Sequence, residues 1–130
     1  MDFFFNHIML VAESVFVGIY CLLLYLIIVP VNYYTWFVLG FIKHYLSYQV
    51  GIQDEYCRHS YACGLRNVHA SDRYLILDSL LEGVVFMIIG IIVNNTDDKL
   101  VSVATLGMTT HLLFEFIGAH HYFCQTRCSN

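Results

Sequence analysis

Four long apolar runs, each ended by a polar break, organise the chain. The first is His7–Val29, apolar apart from Glu13 and Ser14 and closed by Pro30. At about 1.5 Å of rise per residue, a run of this length matches a hydrocarbon core of about 30 Å. Pro30 and Asn32 predict a short turn. The second run, Tyr33–Tyr48, is shorter and carries Lys43 and His44. Its alternative is an amphipathic helix lying in the interface. The stretch from Gln49 to Arg73 is polar and long enough to fold on its own. The third run, Tyr74–Val93, carries Asp78 and Glu82. The segment NNTDDK at 94–99 predicts a tight polar turn, and Leu100–Phe123 is the fourth run. Hydrocarbon offers no water to backbone N–H and C=O groups, so each run should satisfy its own as a helix. The expected fold is all-α. It is an integral-membrane four-helix bundle, two helical hairpins joined by the polar loop 49–73, in a single transmembrane domain over 1–130.

Composition agrees with this pattern. Of 130 residues, 58% are hydrophobic and 12% charged, where an ordinary soluble domain carries roughly 25% charge. A net charge of −4 provides no basic footprint for nucleic acid. Ten Phe, ten Tyr and one Trp suit the membrane–water boundary. Residues 1–7 lack a basic region, and the first run is too long for a signal-peptide core, so no cleavable signal of the usual form is expected. Four crossings put both termini and the loop on one side. Lys43, Arg58, Arg66, Arg73 and Arg127 fall there, against Lys99 opposite, which favours a cytosolic loop and termini. Asn94-Asn95-Thr96 is a glycosylation sequon on the opposite side, but it is too close to a helix end to expect use.

The polar residues within the runs fall at a common level. Glu13, Lys43, His44, Asp78, Glu82, His111 and Glu115 all lie in the half of the bilayer nearer the loop, from about one turn deep at Asp78 to near the midplane at His111. Asp78 and Glu82 are four apart and share a helix face, as do His111 and Glu115. Ser79, Gly83, Ala104, Gly107 and Gly118 accompany them, and small side chains let helices approach closely in lipid. Charges in hydrocarbon cost at least about 2.5–3.5 kcal/mol each, so they should face one another. A polar seam is therefore expected, with Glu13–Lys43 and His111–Glu115 pairing with Asp78 and Glu82. Its first reading is structural. The second is a proton or ion path, which uses such chains of Asp, Glu and His. The third is a metal centre, but di-iron bundles use Glu-x-x-His, whereas here a single His-x-x-x-Glu occurs. His44 and His111 are the candidate axial ligands if haem were bound. The string EFIGAHH (115–121) resembles the histidine boxes of membrane desaturases and hydroxylases, but those families carry several boxes on longer chains. A helix C-terminus that favours cations is reason enough for His120 and His121.

Cys21 reads as an apolar packer inside the first run. Cys57, Cys63, Cys124 and Cys128 fall on the loop side with His59, His69, His120 and His121. On a cytosolic face, free thiols are the first expectation. The alternatives are zinc bound by these cysteines with His59, His120 and His121, although the spacing is not C-x-x-C, and two disulfides. Cys57–Cys63 with Cys124–Cys128 is one of three possible connectivities.

No nucleophile motif, phosphate loop or cofactor fingerprint is present. The expectation is a non-enzymatic membrane anchor or scaffold subunit with no cofactor, zinc and haem being kept as alternatives. Its partners would be the lipid bilayer and other protein subunits, met through Gln49 to Arg73 and His120 to Asn130. A virion shell with an internal membrane and a multi-subunit membrane complex are the two settings. A small oligomeric proton or ion channel is the first alternative, and a metal-dependent membrane enzyme the second.

Overall fold

The computed structural model describes residues 2–28, 34–64, 67–93 and 98–129. The predicted turn at Pro30 and Asn32, Arg66, and the sequon Asn94-Asn95-Thr96 lie outside these. In chain order the elements are α1 (Asp2–Ile27), α2 (Tyr34–Gln49), α3 (Ile52–His59), β1 (His69–Ala70), α4 (Leu75–Val93), α5 (Lys99–Phe116), α6 (Ala119–Arg127) and β2 (Cys128–Ser129). Helix accounts for 82% of the described residues.

Two helices, α1 over Phe4–Ile27 and α4, are long and apolar enough to cross a membrane. The pair α5–α6, bent by 75°, makes a third candidate. The 16 residues of α2 reach about 24 Å, short of a full hydrocarbon core. Large apolar side chains line the outer surface. On α1 these include Phe5, Val11, Phe16, Ile19, Leu23 and Ile27, and on α4 Leu77, Leu81, Ile88 and Ile92. Soluble monomers do not expose continuous apolar faces of this kind; in lipid such faces are solvated.

Helix α1 packs along α5 and α2 along α4, and α4 against α5 joins the two pairs. The α2–α4 approach requires glycine. A Cβ on Gly40 would fall 2.7 Å from the carbonyl oxygen of Glu82, and one on Gly83 would fall 2.9 Å from that of Phe37. Between the helices lies a core of Cys21, Leu24, Trp36, Leu39, Phe86, Val103 and Leu106.

The fourth run does not continue as one helix to Phe123. α5 stops at Phe116, and Gly118 adopts φ 80°, a left-handed conformation that glycine enters without steric penalty. The chain then turns into α6. The loop 49–73 is also ordered, holding α3 and β1, with Gly51 at φ 84° opening α3. Together α3, β1, α6 and β2 form a cap over one end of the helices. β1 and β2 pair antiparallel, His69 opposite Ser129 and Ala70 opposite Cys128. Asp54 accepts a hydrogen bond from the Ala70 N–H at 2.7 Å.

The four cap cysteines are not free thiols. Disulfides join Cys57 to Cys128 and Cys63 to Cys124, so the connectivity differs from the local pairing Cys57–Cys63 and Cys124–Cys128. Cys124 and Cys128 are four apart and share one side of α6–β2. That side is turned toward the end of α3, which makes the long-range pairing the one in reach. The four half-cystines and Val68 are the cap's buried core, with Tyr56, Ala62, Ala70 and Phe123 packed on them.

Candidate functional site

The ionisable residues within the helices meet directly beneath the cap, in two groups and one outlying pair. In the first group, α2 presents Lys43 and His44 to Glu82 of α4. The Lys43 ammonium is bonded to Glu82 Oε1, and His44 Nδ1 lies 2.6 Å from Glu82 Oε2. The Glu82 side chain is 7% exposed. Gly40 and Gly83 allow the backbones to approach closely enough for these contacts. Gln53, one turn into the cap, donates to the His44 carbonyl at 2.9 Å.

The second group joins α1, α5, α6 and the cap. Glu13 Oε2 lies 3.3 Å from His111 Nε2, and Glu13 Oε1 accepts from the Tyr61 N–H at 2.6 Å. The His111 and His120 rings lie 4.6 Å apart, and His120 Nδ1 is 2.9 Å from Glu115 Oε2. The bend at Gly118 is what folds His120 back onto Glu115. Tyr56 closes this group from above, its ring edge-on to His120 at 5.4 Å and to His111 at 6.5 Å. Its hydroxyl is buried without a hydrogen-bond partner among the described residues. Burial, followed by the charges of Glu115 and Glu13, pushes the ionisation of that hydroxyl far above its ordinary value of 10. Phe123 lies between the groups, 6.0 Å from the Tyr56 ring and 6.3 Å from that of His44.

Asp78 stands apart from both. Arg127 holds its carboxylate with two bonds, at 2.7 and 3.0 Å, and stacks over Tyr74 at 4.5 Å. This bidentate clasp ties the end of α6 to the start of α4.

The seven residues singled out from the sequence thus divide differently from the expected pairing. Glu13 meets His111 rather than Lys43, because α1 packs on α5 while α2 packs on α4. Glu115 meets His120 rather than His111, because of the bend at Gly118. Asp78 meets Arg127 in place of a seam partner. Tyr56, Tyr61, Gln53 and Arg127 belong to the arrangement too. Nothing in the polar loop sets Tyr56 apart from its neighbouring tyrosines before the cap is folded.

The candidate metal ligands are otherwise engaged. Cys57, Cys63, Cys124 and Cys128 are oxidised, which removes the thiolates a zinc ion would need. His59 pairs with Glu55 at 3.0 Å, and His121 with Gln125 at 3.0 Å. The candidate haem ligands His44 and His111 each direct a ring nitrogen at a carboxylate. Among the described residues no group of three or more His, Cys, Asp or Glu is arranged to hold a metal ion.

Two open, mainly apolar grooves flank the second group. One, of about 600 Å³, runs over Leu10, Leu112 and Phe116 to Glu115. The other, of about 420 Å³, runs over Phe16 and Ile52 to Glu13. Comparison with family models, with curated proteins and with solved structures finds no match to this chain.

Proposed function

We propose that the chain is a non-enzymatic integral-membrane anchor. In this reading α1, α2, α4 and α5 form a four-helix bundle in the bilayer, and the cap ties a larger assembly to it. One observation carries the reading: Glu13, Lys43, His44, Asp78, Glu82, His111 and Glu115 each have a partner inside this chain. A carboxylate or imidazole held by a buried counter-group is a fixed structural element, and charged pairs of this kind favour one helix arrangement over others. The exposed cap residues Glu55, His59, His69, His121, Tyr122 and Gln125 then form a rigid polar face for neighbouring subunits. A shell around an internal membrane and a multi-subunit membrane complex are both suitable settings for a 15.0 kDa protein with so little mass outside the bilayer.

Proton conduction is the second reading, favoured by two carboxylate–imidazole pairs, Glu13–His111 and Glu115–His120, whose rings lie 4.6 Å apart. Against it stands the half of the bundle away from the cap. Leu24, Leu39, Phe86, Val103 and Leu106 are packed there, and the polar side chains buried with them, Thr35 and Ser102, are hydroxyls and not carboxylates or imidazoles.

The test joins cross-linking in native membranes to reconstitution. The anchor reading expects cross-links from residues 52–70 and 119–129 to other proteins, and no proton flux into liposomes that hold the purified chain. A flux abolished by Glu115→Gln, from a protein free of partners, would overturn it in favour of conduction.

A further inference from the structure

We propose that the cap faces a non-cytosolic, oxidising compartment, the reverse of what the basic residues favour. The inference rests on the helices crossing a bilayer and is independent of the anchor role.

The cysteines carry the argument. All four that lie in the cap are paired, while Cys21, inside the helix core, is free and fully buried. Both bonds are long-range, closing separations of 71 and 61 residues. They connect the α3 side of the cap to the α6–β2 side, which the chain reaches after α4 and α5. Besides them the cap is held by scattered polar contacts, among them the Arg127–Asp78 clasp and the bonds of Gln53, Asp54 and Tyr61, and by little apolar packing. Its buried core is the four half-cystines and Val68, and the ladder between its strands is two residues long. A unit this small with so few buried aliphatic side chains depends on its cross-links. Glutathione and thioredoxin keep cytosolic thiols reduced, and a reduced cap would lose both cross-links that run through its core.

The opposing charge count is weaker once the residues are placed. Lys43 lies within α2 on Glu82, Arg127 is clasped by Asp78, and Arg58 bonds Glu55, the Val68 carbonyl and His69. The charge bias is a preference acting during insertion and rests here on six residues. The disulfides are a covalent condition of the folded cap.

The experiment uses the full chain with a linker and a short epitope tag bearing an Asn-Gly-Thr acceptor after Asn130, expressed in a eukaryotic host. On sealed microsomes, the tag is expected to be glycosylated and protected from added protease until detergent is present. Maleimide trapping on denaturing lysis is expected to label one cysteine, and five after reduction. Digestion of the tag in sealed vesicles overturns the inference, whether or not the cap cysteines are oxidised. Labelling of all five cysteines without reductant overturns it as well. Neither result bears on whether the chain binds other subunits, which the cross-linking experiment reads separately.

Discussion

Glu82 answers to Lys43 and His44 at once, and both depend on it. Lys43 and Glu82 are largely withdrawn from solvent, with side chains 15% and 7% exposed. Removing one partner of a buried pair leaves the other uncompensated, which typically costs about 3–5 kcal/mol, whereas replacing both with apolar groups is often close to neutral. Glu82→Ala is therefore expected to destabilise the bundle by about 3 kcal/mol or more, and Lys43→Met added to it should recover most of that loss. Trp36 is the chain's one tryptophan; it is 7% exposed and packs at Gly90 of α4. Its fluorescence during denaturation in detergent reports whether α2 stays on α4. A loss below about 1 kcal/mol for Glu82→Ala, in the range of an exposed pair, would show that water reaches the site.

The element that decides the second polar group is the bend between α5 and α6. Its hinge residue, Gly118, sits at φ 80° with no neighbour that a Cβ would strike, so the requirement is conformational and not steric. A left-handed backbone costs residues other than glycine about 1–2 kcal/mol, with asparagine tolerating it best. Stability by thermal circular dichroism should fall in the order Gly118, Gly118→Asn, Gly118→Ala, Gly118→Val. The same substitutions should slow formation of the Cys63–Cys124 bond during oxidative refolding, since the bend carries Cys124 to its partner. Equal stability across the series would mean that α5 and α6 can run on without the turn.

For the molecule as a whole, two cores are held by different forces. The core between α1, α2, α4 and α5 is aliphatic and aromatic, with Cys21 among it. The cap core is largely disulfide. In the chain-entropy account a closed loop of 60–70 residues contributes about 4 kcal/mol. The two bonds here are nested, so their contributions do not add, and in the proposed membrane setting the helices between them would already be restrained. Reduction should therefore open the cap and leave the membrane helices folded. Protease should cut within 52–70 and 119–129 after reduction and not before, while far-ultraviolet circular dichroism changes little. Unchanged protease resistance on reduction would mean that the β1–β2 ladder and the Arg127–Asp78 clasp are sufficient to hold the cap.

Apolar run length and the absence of water in lipid were enough to place helices at α1, α2, α4 and α5 to within a few residues at most ends, because those two quantities are local. Position along each helix follows from counting residues for the same reason, and it set which ionisable residues could lie near the cap end. Partner choice was not. Whether Glu13 meets Lys43 or His111 depends on which helices lie side by side, and no single run encodes that. The bend at Gly118 was equally hidden, since a glycine in an apolar run suits close packing as well as a left-handed turn. The cysteine pairing depended on two segments some sixty residues apart being brought face to face, a fact of tertiary structure that local spacing does not carry.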